Sequence, residues 1–257
     1  MKKLIALLLV LVMAISLAAC ASNEPAETEA PVQETEAPAE TEAPVEETEA
    51  PVEDTVKVMT YAEFAAAELE TEVVVETYVQ TIESWWNDQC HIYAASEDGG
   101  YYIYGYTCTQ EEADKLVPGT KIRVTGYKGA WAGEVEIMDA TFEFVKDADT
   151  YIAEAKDLTD KLGTDDLIKY QNQFASFKGL TVVKVEYQGG EPGKDIYVTV
   201  SLNDKEYSFC VESYLPGTDS DVYKTVGTLK AGDKVDIEGF VYWYEGINTH
   251  ITSVTVK

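Results

Sequence analysis

Two stretches of this chain, Leu116-Val-Pro-Gly119-Thr-Lys121-Ile-Arg-Val-Thr-Gly126-Tyr127 and Leu229-Lys-Ala-Gly232-Asp-Lys234-Val-Asp-Ile-Glu-Gly239-Phe240, lie over one another in constant register. The leucine, both glycines, the lysine, the alternating apolar residues and the closing aromatic fall in step, and the match runs on through Gly133 and Gly246. The spacing is too long for a solenoid unit, so the chain reads as two copies of one small domain, residues 56–146 and 147–257. Apolar and polar residues alternate in each stretch, the period of a half-buried strand.

Outward from these stretches the pattern stays mostly strand. In the first copy, strands are expected at Val73–Val79, Cys90–Ser96, Tyr101–Cys108, Ile122–Tyr127 and Glu134–Phe142. The run Glu97-Asp98-Gly99-Gly100 is a hairpin turn between the second and third. Thr60 with Glu63, and Thr109 with Glu112, have capping-box spacing, so short helices are expected through about Glu68 and from Thr109 to Leu116. In the second copy, strands are expected at Leu180–Tyr187, Ile196–Leu202, Glu206–Val211, Lys234–Tyr244 and His250–Val256. A turn at Asn203-Asp204, a longer connection up to Leu229, and a leading helix over Asp165–Ala175 capped by Thr164 complete the scheme.

Five short strands with a helix between the third and fourth resemble the OB-fold. The phrase Gly119-x-Lys121-x-x-Val124-x-Gly126 and its partner Gly232-x-Lys234-x-x-Ile237-x-Gly239 are similar to the fourth OB strand, where glycine permits a close approach or a bulge. The resemblance covers residues 57–257 and implies a mainly β protein of two tandem five-stranded OB-fold-like barrels, each with short helices. An SH3-like barrel or a small β-sandwich stays open on the same pattern.

The N-terminal part has another character. Lys2 and Lys3 precede the apolar run Leu4–Leu17, and the arrangement is that of an export signal. Leu17-Ala18-Ala19-Cys20 resembles the lipobox of bacterial lipoproteins. That resemblance implies a signal peptide over residues 1–19, a lipidated Cys20, and a protein held on the cell membrane facing the extracellular or periplasmic side. Residues 20–55 carry Glu-Thr-Glu-Ala-Pro four times, at Glu27, Glu34, Glu40 and Glu47, with no aromatic residue and no positive charge after the cysteine. Such a stretch cannot form a core, and a disordered, extended linker is expected. At ~3.1 Å per residue in the polyproline conformation it would reach roughly 100 Å.

The chain has 257 residues, 19 Lys and Arg against 47 Asp and Glu, and a formal net charge of -28. Without the basic surplus that supplies counterion release, nucleic acid is not expected as a partner; a cluster of Lys115, Lys121, Arg123 and Lys128 is the one feature in its favour. No nucleophile with a base, no paired histidines at metal spacing and no glycine-rich phosphate loop is found, so no catalytic residue, metal or cofactor is expected. His91 and His250 stand isolated on strands, and Asp219-Ser-Asp221 reads as a solvated turn.

Binding is therefore the expected role, of an extracellular glycan, peptide or protein whose identity the residues do not specify. OB-folds bind on strands two and three and the flanking loops. In the first copy that region holds Tyr102, Tyr104 and Tyr106 with Trp85 and Trp86 before strand two, and Trp131 follows strand four; stacking aromatics of this kind hold bases or sugar faces. The alternatives are a single-stranded nucleic-acid binder at the cell surface and a structural spacer. Cys90 and Cys108 lie opposite each other if the hairpin loop takes three residues, which would allow a cross-strand disulfide. With a loop of two or four, Cys108 turns to the other face.

Overall fold

The computed structural model describes residues 57–257. The export signal, Cys20 and the repeats of the linker lie outside them. The chain is mainly β, a closed five-strand barrel followed by a second sheet. The barrel comprises β1 (Glu72–Ile82), β2 (Gln89–Ser96), β3 (Gly99–Thr107), β4 (Lys121–Trp131) and β5 (Glu134–Phe144), closed in the order β1-β2-β3-β5-β4. Its inward residues, among them Val73, Val75, Ile92, Ile103, Ile122 and Ile137, are completely or almost completely buried. The expected glycine at position 126 has a steric reason. The β4–β5 register shifts between Thr125 and Tyr127, and a Cβ on Gly126 would stand 2.7 Å from Ile137 Cγ2. Gly239 serves in the same way, pressed against the His250 carbonyl where its own strand pairing shifts.

Two short helices belong to the barrel. α1 (Tyr61–Ala66) has the expected capping box, Glu63 N donating to Thr60 Oγ1 at 3.3 Å and Thr60 N to Glu63 Oε2 at 2.9 Å. It stops short of Glu68, where the buried Lys128 Nζ donates to the carbonyls of Phe64, Ala65 and Ala67 at 3.0, 2.8 and 2.7 Å. α2 (Gln110–Ala113) is capped by Thr109 and Glu112 and joins β3 to β4.

The second sheet contains β6 (Lys156–Asp157), β7 (Phe174–Tyr187), β8 (Ile196–Leu202), β9 (Lys205–Val211), β10 (Lys234–Phe240) and β11 (His250–Val256), in the order β10-β11-β9-β8-β7-β6 with β10 also paired to β7. Phe177, Leu180, Val198, Phe209 and Ile237 fill its core. α3 (Asp221–Thr228) occupies the long connection before β10, with Ser220 as N-cap; the Asp219–Asp221 turn is that cap.

The expected helix over 165–175 does not form. Only a 3-10 turn, Leu167–Tyr170, is present, and β7 begins at Phe174. Asn172 N bonds Val241 O, Val241 N bonds Gln173 O, and Phe174 and Ala175 pair with Phe240 and Gly239. Pairing with a distant strand thus overrides a weak local helical pattern. The same contacts end β10 at Phe240, short of the expected Tyr244.

The β2–β3 hairpin turns on Glu97-Asp98 alone, since Ser96 pairs with Gly99, and Cys90 faces Tyr106 rather than Cys108. A two-residue turn is expected to put Cys108 on the other face; the register shift between Cys90 and Ile92 brings it back as the diagonal neighbour on the same face. Both thiols are free and buried, with the sulfurs 3.5 Å apart. Burial pushes both thiols up, so attack is slow at neutral pH. An added thiol oxidant is expected to close this pair: alkylation after denaturation would then label Cys210 but neither Cys90 nor Cys108. The bond would close a loop spanning 18 positions and add about 3 kcal/mol. Retention of both thiols after prolonged oxidation would refute the pairing.

Candidate functional site

A row of tyrosines on the outside of the barrel buries itself against the second sheet. Tyr93 of β2 and Tyr102 of β3 are register partners on the outer face, yet they are 0% and 4% exposed. Tyr93 stacks on Phe240 with ring centres 4.3 Å apart, and Phe174, Leu215 and Tyr242 complete the cluster. Polar contacts pin the same junction. Tyr93 Oη and His250 Nδ1 are hydrogen-bonded at 2.9 Å, and Trp243 N donates to Glu134 Oε2 at 2.7 Å. Gln171 Nε2 donates to Gly133 O at 2.6 Å, Asn172 Nδ2 to Val135 O at 2.9 Å, and Ser84 N to Tyr214 O at 2.8 Å.

Beside this junction two adjoining clefts open. The outer, of about 420 Å³, is walled by Trp86, Gln89, His91 and Tyr104 of the barrel and by Glu212 and Tyr214. The inner, of about 540 Å³ and itself open to solvent, shares Glu83, His91 and Glu212 with the outer and is lined at the junction by Tyr102, Asp195, Tyr242 and His250. No lysine or arginine lines either one.

Three carboxylates, those of Glu83, Asp195 and Glu212, therefore line the two clefts with no lysine or arginine among them. Glu83, just after β1, is 8% exposed; its Oε1 accepts from Tyr102 Oη at 2.9 Å, while its Oε2 has only His91 Nδ1 at 3.6 Å. Burial pushes Glu83 up to about 7 against the pull of the Tyr102 hydrogen bond, and the Asp195 charge adds to the rise. Glu212, just after β9, is raised to about 8 by burial and by the nearby charges of Glu83 and Asp195, and its Oε2 is buried without a partner. Burial lowers His91, which works against a positive charge there. Asp195 itself accepts from Ser213 N and Oγ, both at 2.8 Å.

The aromatic residues named from the sequence separate here. Trp86, 74% exposed, and Tyr104, 46% exposed, wall the outer cleft, and Tyr102 borders the inner one. Tyr106 does not join them. A bulge sets Tyr104 and Gly105 together opposite His91, with Gly105 at φ 62°, and this turns Tyr106 inward onto Phe142. Trp85 packs on the barrel core with Nε1 donating to Cys108 O at 2.8 Å, and Trp131 is exposed outside both clefts. Glu83, Asp195 and Glu212 escaped the sequence reading, and the two histidines, read there as isolated, instead bond Tyr102 and Tyr93 beside the clefts. Acidic residues are abundant everywhere in this chain, and nothing local marks the few that converge.

The basic cluster is already engaged. Lys115 pairs with Glu111, Lys121 and Arg123 both pair with Glu76, each at 2.8 Å, and Lys128 caps α1. Among the described residues no group of His, Cys, Asp and Glu is arranged to hold a metal ion, and no helix is long and apolar enough to cross a membrane.

A closed barrel joined to a second sheet, with an acidic aromatic cleft at the junction, is the class of structure this chain presents. No family model and no curated protein matches it. Among solved structures it is similar to the p204 HINb domain at 13% identity and TM-score 0.35, over 74% of this chain and 100% of that one. It is similar to the Ifi202 HINa domain in complex with 20-bp double-stranded DNA at 13% identity and TM-score 0.34, over 74% and 96%. A single-stranded DNA binding protein from Thermus aquaticus, a deletion mutant, matches at 10% identity and TM-score 0.25, over 74% and 95%. At these values the likeness assigns this chain neither partner nor activity. Against the expectation that nucleic acid is not a partner stands the finding that several of these similar chains were solved with double-stranded DNA.

Proposed function

We propose that this chain is a non-enzymatic binding module that seats its ligand in the cleft beside the junction and is held at the membrane by a lipid on Cys20. The observation that carries the binding reading is the open outer cleft walled by Trp86 and Tyr104. It lies on the β2–β3 face and the loop before β2, the face with which OB-folds bind. The OB reading of the second sheet rests on its pairings: β7, β8, β9, β11 and β10 are joined in the order of β1, β2, β3, β5 and β4. The anchor reading rests on Leu17-Ala-Ala-Cys20 and the acidic, proline-punctuated stretch after it.

The full chain, screened against glycans, peptides and oligonucleotides, is expected to hold one class and to lose it on Trp86→Ala. A nucleic-acid ligand, its bases stacked on Trp86 and Tyr104, would betray itself by affinity that falls steeply with salt. A screen in which no ligand is held leaves the module a spacer and refutes the binding reading. For the anchor, cells fed labelled fatty acid are expected to label the wild-type chain and not Cys20→Ala; equal labelling of both would overturn it.

A further inference from the structure

We infer that the double cleft is a receptor for a primary alkylammonium group, seated between the carboxylates of Glu83 and Glu212 with its carbon chain along Trp86 and Tyr104. The inference rests on the binding reading above and names the ligand's chemistry. Four observations point the same way. First, Glu83 is more than nine-tenths buried and lines both clefts, and its Oε2 has no hydrogen-bond donor, with His91 Nδ1 3.6 Å away. Second, Glu212 Oε2 is buried and has no partner at all. Burying carboxylates unpaired is costly, and a cation brought from outside removes that cost.

Third, the walls are rich in aromatic side chains. Trp86 and Tyr104 line the outer cleft and Tyr102 and Tyr242 the inner, the surroundings in which an organic cation is held over aromatic rings. Fourth, the donor set does not suit a metal, since no group of three ligating side chains is assembled among the described residues. An ammonium has three donors to share, enough for Glu83 Oε2, Glu212 Oε2 and a third acceptor; Asn248 Oδ1, which lacks a partner, lines the inner cleft.

The charge state of the site follows from every titratable group that lines it: Glu83 after β1, His91 on β2, Tyr102 and Tyr104 on β3, Asp195 before β8, Tyr197 on β8, Cys210 on β9, Glu212 and Tyr214 after β9, Tyr242 and Tyr244 after β10, and His250 on β11. Burial lowers both histidines, His250 to about 3, and so disfavours a positive charge on either. Of the raised acids, Glu83 at about 7 and Glu212 at about 8 ionise as pH rises past neutrality. An ammonium ligand accordingly binds more tightly at pH 8.5 than at pH 6 and displaces protons as it binds.

The test is calorimetry on the full chain in detergent, with spermidine and a lysine-containing peptide as the free and peptide-borne sources of the ammonium. A neutral glycan and a single-stranded oligonucleotide are the other arms. Expected is binding of at least one ammonium arm, tighter at pH 8.5 than at pH 6, weakened about tenfold or more by Glu212→Gln and by Trp86→Ala. Thermal melts of both variants establish that they fold; should Glu212→Gln fail to fold, Trp86→Ala, on an exposed residue, carries the test with the pH shift. If neither ammonium arm binds, or binding ignores pH and both variants, the inference is overturned. If the glycan or the oligonucleotide binds instead and Trp86→Ala abolishes it, the module reading survives and only the ammonium fails. If nothing binds, both fail together.

Discussion

Replacing Tyr93 by alanine is expected to cost about 3–5 kcal/mol of stability, read as a fall in the urea midpoint. The size of the effect comes from where the ring lies. Tyr93 points out of the barrel but is completely buried, because the second sheet lays Phe240 flat against it at an interplanar angle of 12°. Its hydroxyl also holds Nδ1 of His250, a residue 6% exposed and kept neutral by burial, which lowers it to about 3. Alanine removes the ring, the stack and the hydrogen bond together. Tyr93→Phe keeps the first two and is expected to cost about 1–3 kcal/mol, the desolvation of the nitrogen it leaves bare. With the junction loosened, barrel and second sheet are expected to unfold in two steps where the parent unfolds in one. An alanine variant within about 1 kcal/mol of the parent would mean that the two parts are stable without each other.

The second large effect is on pH dependence. Glu134 is 0% exposed, with Oε2 holding Trp243 N across the junction and Oε1 buried without a partner. Burial pushes it up to about 8, against the pull of its bonds to Trp243 and Asn172. An acid raised on folding stabilises fully below its unfolded pKa, near 4.5, and that contribution is lost as pH rises toward 8. The limiting slope is about 1.4 kcal/mol per pH unit for each such group. Glu83 and Glu212 act with the same sign. His250 acts in the opposite direction, but only below its unfolded value of 6.5, as it is forced to protonate.

From pH 6.5 to 8 the carboxylates therefore act alone, and stability is expected to fall as pH rises. Glu134→Gln stays neutral at every pH while its amide oxygen can still accept from Trp243 N. It is expected to be more stable than the parent by about 2–4 kcal/mol at pH 9, with a much smaller gain at pH 5. Urea titrations across that range decide it; a variant whose gain does not grow with pH would show that Glu134 is ionised in the folded protein at no cost.

Local pattern was enough for much of the secondary structure. Alternation placed Ile196–Leu202 and His250–Val256 to the residue, and the two capping boxes marked both helix starts in the barrel. The glycines at 126 and 239 were readable because each sits in a repeated phrase and each has backbone or side chain pressed against it. The expected row of Tyr102, Tyr104 and Tyr106 failed at one point. Alternation continues only while the register does, and the bulge at Gly105 breaks it.

By itself, then, the order of residues determined most strand positions, the capped helix starts and the repeated fourth-strand phrase, since each depends on neighbours a few positions apart; the start of β7 and the end of β10 it did not. The junction was decided by tertiary structure alone. Whether Tyr93 meets solvent or Phe240, and whether Glu83 stands near Glu212, depends on contacts between residues more than a hundred positions apart. Over such a separation the period of a strand carries no information. Packing settled those contacts by burying two outward tyrosines, and it left the carboxylates beside them with no lysine or arginine in the clefts they line.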